Sequence, residues 1–166
     1  MTFTLQSASF SDGDHLASDH LLAESFGFGC AGGNRSPALS WNGAPEGTRS
    51  FAVTCYDPDA PTGSGFWHWI LLDLPADTSE LAVGAGSDTG RDLPDGAMHV
   101  VNDFGAVGYG GPCPPPGHGP HRYVFTVHAL SVAPLPVDAT TPQAVARFQL
   151  HAHTIATATI VGRCER

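Results

Sequence analysis

Ser50–Pro75 reads SFAVTCYDPDAPTGSGFWHWILLDLP, two strands joined by a turn. SFAVTCY is β-branched and aromatic, and Phe51, Val53 and Cys55 alternate onto one face. FWHWILLDL is apolar almost throughout, which predicts a strand covered on both faces and central in its sheet. Between them the chain runs through Pro58, Pro61, Gly63 and Gly65, residues that turn a backbone. Residues 60–66 are a connection of the right length for two antiparallel neighbours. Asp57 and Asp59 leave the first strand at its C-terminal end, and His68 enters the second near its N-terminal end. Antiparallel pairing brings those ends to one rim.

Working outward, TFTLQSASF alternates as a strand and residues 11–36 read as loop. ALSW is a short strand, NGAPEGT a turn, PADTSELAVG a connector and MHVVNDF a shorter strand. Gly105 to Pro120, GAVGYGGPCPPPGHGP, carries six Gly and five Pro and forms neither helix nor sheet. HRYVFTVHAL follows as a strand, with Tyr123, Phe125 and Val127 alternating with Arg122, Val124 and Thr126. TTPQAVARFQLHAH predicts the one clear helix, capped by Thr141 with Pro142 in the first helical position. Val145, Phe148 and Ala152 fall near one side of it and read as its apolar face. TATIVG returns to strand alternation. The expectation is one mostly β domain over residues 1–166, with one or two short helices.

Composition narrows the function. A formal net charge of -9 disfavours nucleic acid and polybasic membrane binding. All seven basic residues are arginine, which removes Schiff-base and phosphate-loop lysine chemistry. MTFTLQSASF lacks the apolar run of a signal peptide, and no segment approaches the ~20 apolar residues of a membrane span. A cytoplasmic chain without membrane insertion is therefore expected. Cys30, Cys55, Cys113 and Cys164 are scattered and form no CxxC pair, so four reduced thiols are expected and no metal quartet. No cofactor is called for.

The site is expected at the rim. The Gly/Pro loop ends at His121, so two aspartates, two histidines and Tyr123 can meet beneath a loop rich in backbone N–H groups. A carboxylate bonded to one imidazole nitrogen sets its tautomer, and the other nitrogen then faces a ligand as a donor. Such a set suits an anionic oxygen, and a retained acid beside it suits an amine. Plain readings stand alongside. Asp59 equally fits a turn, His68 a core histidine, and Trp67 and Trp69 packing. His118 reads as a loop histidine, and Arg122 as half of a structural ion pair on the opposite face. His151 and His153 suit the negative end of a helix better than a metal.

DPDAP followed by WHW and then PPPGHGPHRY, with NRSPALSW upstream, resembles the phosphatidylethanolamine-binding protein family, in particular its small bacterial Raf-kinase-inhibitor-like branch. The resemblance runs from about Asp12 to Leu130. It implies an antiparallel β-sandwich with a small anion pocket at one rim. It also implies a ligand set of Asp57, Asp59, Pro61, His68, Cys113, Pro114, Pro115, His121 and Tyr123. Phosphate or a phosphoethanolamine-like group is the implied ligand, and a homodimer the implied assembly. Cys113 departs from the glycine usual in eukaryotic members.

Two functions follow. One is a binding protein for small anions or phospholipid head groups that performs no chemistry. The other is an acid/base enzyme, a dehydratase, lyase or cyclase using Asp57 with His68 or His121. A nucleophilic hydrolase is weaker, because there is no GxSxG elbow and only Cys113 lies near a histidine in sequence.

Overall fold

The two strands of the central stretch form as the pattern predicts. In the computed structural model, which describes residues 1–166, the chain runs through nine regular elements. They are β1 (Thr4–Gln6), β2 (Leu39–Asn42), β3 (Ser50–Asp57), β4 (Phe66–Pro75), β5 (Glu80–Leu81), β6 (Met98–His99), β7 (His121–Leu130), α1 (Gln143–His153) and β8 (Thr154–Cys164). Single 3-10 turns occupy Ser18–His20 and Glu24–Phe26. All strand pairs between named elements are antiparallel, in a sheet ordered β1-β2-β5 and another ordered β6-β4-β3-β7-β8.

The larger sheet is buried on both faces. Phe51, Val53, Cys55, Trp69, Leu71, Tyr123, Phe125 and Val127 pack against Leu5, Leu39 and Trp41 of the small sheet. On the other face Ala52, Ile70, Leu72 and Leu130 pack with Ala146 and Leu150 of α1. The alternation in β3 and β7 thus sorts side chains between two cores. β4 is covered on both faces as expected, but β3 is the middle strand. Only Met98–His99 of MHVVNDF pairs, beside β4, and the expected connector PADTSELAVG contributes β5 to the small sheet.

Register places the rim. Asp57 pairs with Phe66 across β3 and β4, and Tyr56 with Val124 across β3 and β7. The C-terminal end of β3 therefore meets the N-terminal ends of both neighbours. Cys55 faces Trp69 and Tyr56 faces Trp67, so His68 is the extra residue of a bulge. Bulges re-aim a side chain while the strand continues.

Three local expectations change. Cys30 and Cys113 form a disulfide across a sequence separation of 83, so only Cys55 and Cys164 are free thiols. Scattered positions in sequence say nothing about approach in space. The helix begins at Gln143, with Pro142 in the N-cap position and no side-chain cap. Thr141 is engaged instead with Asp138, whose backbone N–H donates to Thr141 Oγ1 at 3.0 Å. The apolar side chains Val145 and Phe148 face solvent, Phe148 being 70% exposed, while Ala146 and Leu150 are buried. No helix is long and apolar enough to cross a membrane.

Candidate functional site

Asp57 ends β3 and does two jobs. Its Oδ1 accepts the backbone N–H groups of Asp59 (2.8 Å) and Ala60 (3.1 Å), which is turn chemistry. Its Oδ2 accepts from His121 Nδ1 at 2.7 Å. Both side chains are almost fully enclosed, at 3% and 2% exposure. The carboxylate thus fixes the turn and the tautomer of His121 together. A bond of 2.6 Å joins His121 Nε2 to His118 Nδ1. With His121 Nδ1–H given to Asp57, the neutral ring accepts from His118. Asp57, His121 and His118 form one hydrogen-bonded chain from the buried rim to the surface.

His68 is held by the Gly/Pro loop. Its Nδ1 donates to the Gly110 carbonyl at 2.7 Å, and the Gly110 N–H donates to the His68 carbonyl at 2.9 Å. The ring meets Phe66, Phe104 and Tyr123, the latter two edge-on. Burial pushes its pKa down to about 4, against the Gly110 carbonyl and the charges of Asp57 and Asp103, so the ring is neutral at pH 7. Burial first, and then the charge of Asp57, push the Tyr123 phenol far up, so it keeps its proton. Its hydroxyl lies within reach of the Asp57 carboxylate, and a hydrogen bond to that acid adds to the rise.

These groups surround a cavity of about 170 Å³. Asp57, Pro61, His68, Cys113, Pro114, Pro115, His121 and Tyr123 all line it. Asp59 does not. Its carboxylate accepts from the Arg122 backbone N–H (2.8 Å), Nε (3.0 Å) and NH2 (2.8 Å) on the outer side of the turn. The Arg122 hydrogen bond holds the Asp59 carboxyl down at about 2. The ion pair expected of Arg122 is therefore made with the residue that resemblance assigned to the pocket.

Other lining residues were not legible in the sequence. Phe28 and Phe104 form an apolar side of the cavity, with Phe66. The two phenylalanine rings 28 and 104 meet edge-on at 5.4 Å. Phe104 is set by Asn102, whose Oδ1 accepts the N–H groups of Phe104 and Ala106. The pair of aromatics in FGFG, Phe26 and Phe28, set among glycines in a loop, was the one available signal for Phe28. The wall at Cys113–Pro115 is tied down by the disulfide to Cys30 and by Arg166, whose Nε donates to the Pro114 carbonyl at 2.7 Å. Cys113 is thus no thiol nucleophile. Cys55 is buried and its pKa raised, so it is no thiolate either.

No arginine lines the cavity, and there is no lysine in the chain. Its one acidic side chain is Asp57, hydrogen-bonded to His121. A larger groove of about 870 Å³ nearby is lined by Arg35, Asp88, Asp92 and Tyr109, among others. It is the weaker candidate. Asp88 and Asp92 are exposed, Arg35 is paired with Asp19 at 3.1 Å, and no histidine enters it.

Comparison with known proteins agrees with this geometry. A family described as phosphatidylethanolamine-binding protein matches residues 6–165. YbcL of Escherichia coli (strain K12) is 49% identical over 167 residues, 96% of this chain and 90% of that protein. YbhB of the same strain is 49% identical over 149 residues, 90% and 91% of the two chains. The crystal structure of E. coli YbcL, described as a new member of the mammalian PEBP family, superposes with a TM-score of 0.95 at 48% identity. That match covers 100% of this chain and 99% of the other. CT736 from Chlamydia trachomatis superposes with a TM-score of 0.79 at 29% identity, over 99% and 98% of the chains. The strand order, the rim and the family match converge on one conclusion: this chain belongs to the phosphatidylethanolamine-binding protein family.

Proposed function

We propose that the chain binds small anions, phosphate and phosphoethanolamine-type head groups, in the cavity between His68, His121, Tyr123 and the Cys113–Pro115 wall. The observation that carries this is the convergence of two imidazoles and a protonated phenol around a cavity of about 170 Å³. That is below the ~300 Å³ of common small-molecule sites, so it suits a head group and not a whole lipid. An imidazolium attracts anions, and the hydrogen bond from His121 Nδ1 occupies the Asp57 oxygen that would otherwise repel one. Trp67 and Trp69 flank His68 in β4 and provide the fluorescence signal. Titration with phosphoethanolamine is expected to show tighter binding at pH 6 than at pH 8, and loss of binding in His121→Ala. No response at either pH would overturn the proposal.

One observation favours a second reading, an acid/base enzyme of the dehydratase, lyase or cyclase type. The chain Asp57, His121, His118 connects the cavity to the surface through bonds of 2.7 and 2.6 Å. Such a chain orients a base and exchanges its proton with solvent. Turnover of a small hydroxy or carbonyl metabolite that survives both Asp57→Asn and His121→Ala would reject it. The Cys30–Cys113 disulfide supports an oxidising compartment over the expected cytoplasm.

A further inference from the structure

We propose that His68 selects the ligand by its proton. The cavity takes oxyanions that still carry an O–H, such as hydrogen phosphate and phosphate monoesters, over sulfate esters and phosphate diesters of the same charge. The inference rests on the anion-binding reading above and narrows its ligand class.

The tautomer of His68 is set by its partner. A carbonyl oxygen only accepts, so Nδ1, 2.7 Å from the Gly110 oxygen, carries the hydrogen. The reciprocal bond from the Gly110 N–H to the His68 carbonyl, 2.9 Å, locks loop and strand together. A neutral imidazole has one N–H, so Nε2 presents a lone pair. The sequence-based expectation, in which the second nitrogen faces the ligand as a donor, is reversed for this histidine.

That lone pair is available. Nε2 makes no hydrogen bond within the chain, and the fully enclosed side-chain atoms without a partner are Trp41 Nε1 and Arg147 Nε. His68 Nε2 therefore keeps contact with solvent although the residue is only 4% exposed. The opening it lines is the cavity. Protonating the ring would convert Nε2 to a donor, but burial among Phe66 and Phe104 opposes this. The charged or titratable groups acting on the ring are Asp57, Asp103 and the protonated Tyr123, with His121 across the same cavity. The Gly110 carbonyl, the two carboxylates and the Gly111 backbone favour a cation there, yet burial outweighs them and leaves the ring with a pKa of about 4.

An oxygen without hydrogen placed at Nε2 sets lone pair against lone pair. An O–H placed there closes a hydrogen bond to a nitrogen that otherwise loses its water. Sites built around one buried acceptor discriminate strongly against ligands that cannot satisfy it. Tyr123, a protonated phenol at the same cavity, can turn its proton from Asp57 to an unprotonated oxygen of the same anion and so supply the complementary donor.

The test compares methyl phosphate with methyl sulfate by calorimetry on the intact, disulfide-bonded protein. Near pH 5.5 both are monoanions of similar shape, and they differ in one proton. Methyl phosphate is expected to bind at least about tenfold more tightly. Dimethyl phosphate, a monoanion without O–H, is expected to behave like methyl sulfate. At about pH 8 methyl phosphate has passed its second ionisation, near 6, and its advantage is expected to collapse. Methyl sulfate, whose charge is constant over this range, reports the part of the pH change that belongs to the protein. In the nitrogen NMR spectrum of the free protein, His68 is expected to be protonated at Nδ1 alone, and methyl phosphate to perturb Nε2. Equal affinities for the esters, or an Nε2–H ring in the free protein, overturn this inference while leaving phosphoethanolamine binding intact. Failure of every anion, phosphoethanolamine included, overturns the anion-binding reading and this inference together.

Discussion

Asp57 and Asp59 stand two residues apart and end up on opposite sides of one turn. Asp57 takes the N–H groups of Asp59 and Ala60 on one oxygen, and the turn this makes carries Asp59 out to Arg122. A two-residue spacing names the pair of acids but not which side of the turn each takes. The burial of His68 was legible from the apolar run around it, whereas the sequence allows Asp57 either His68 or His121 as partner and only the structure selects His121. The role of His118 was not, because it depends on the path of a loop without repeating structure. Asp59 allows a direct check. Its folded carboxyl sits near 2, below its ordinary value of 3.8, so its stabilising contribution is complete above about pH 4 and lost as pH falls toward 2. Arg122 is 56% exposed, so the pair is screened and its contribution small. Asp59→Asn is expected to lower Tm by about 1–3 °C at pH 7 and to leave anion affinity unchanged. A loss of binding in that variant would return Asp59 to the cavity.

At the scale of elements, the long strands followed their pattern, and the helix formed but with a different face inward. Strand alternation has a period of two and leaves one choice of face for each residue. The helix QAVARFQLHAH offers two overlapping apolar arcs, one through Val145 and Phe148 and one through Ala146 and Leu150. The side with the larger side chains was the natural choice by pattern. Packing decides otherwise, because the surface beneath α1 is already filled by Ile70, Leu72, Val100 and Leu130, and Ala146 with Leu150 fits against it. Leu150→Ala is expected to cost about 2–4 kcal/mol in urea unfolding, the usual penalty for emptying a core leucine site. Phe148→Ser is expected to change stability by no more than about 0.5 kcal/mol, since the ring is mostly in water. The reverse ranking would show that the helix is turned on its axis. The Gly/Pro loop is a second case. Its backbone is fastened at Tyr109 to Gly86, at Gly110 to His68 and at Pro112 to Leu22, so a segment with no regular structure forms a firm wall.

Across the whole molecule, three buried histidines share one electrostatic situation. His68 lies at the rim, His99 accepts from Trp69 Nε1 at 3.0 Å, and His128 lies against Thr54 at 3.2 Å. Burial lowers each to about 4 from an ordinary value of 6.5. A base with a lowered folded pKa binds fewer protons folded than unfolded, so stability rises with pH across that window. Stability is therefore expected to fall progressively from about pH 6.5 to about pH 4, with up to three protons taken up on unfolding. Urea melts across this range read the slope, and a flat profile would show that these rings are already charged in the fold. By itself the sequence determined the β-rich class and the long strands, because alternation is a local property of the chain, while the meeting of Asp57, His68, His121 and Tyr123 needed the pairing of β3 with β4 and β7 as well. Only the tertiary structure decided the Cys30–Cys113 bond, the outward turn of Asp59, the face of α1, the His118 link and the tautomer of His68. Each of these depends on which distant group arrives at a given atom, and loop paths and packing set that where no short-range period does.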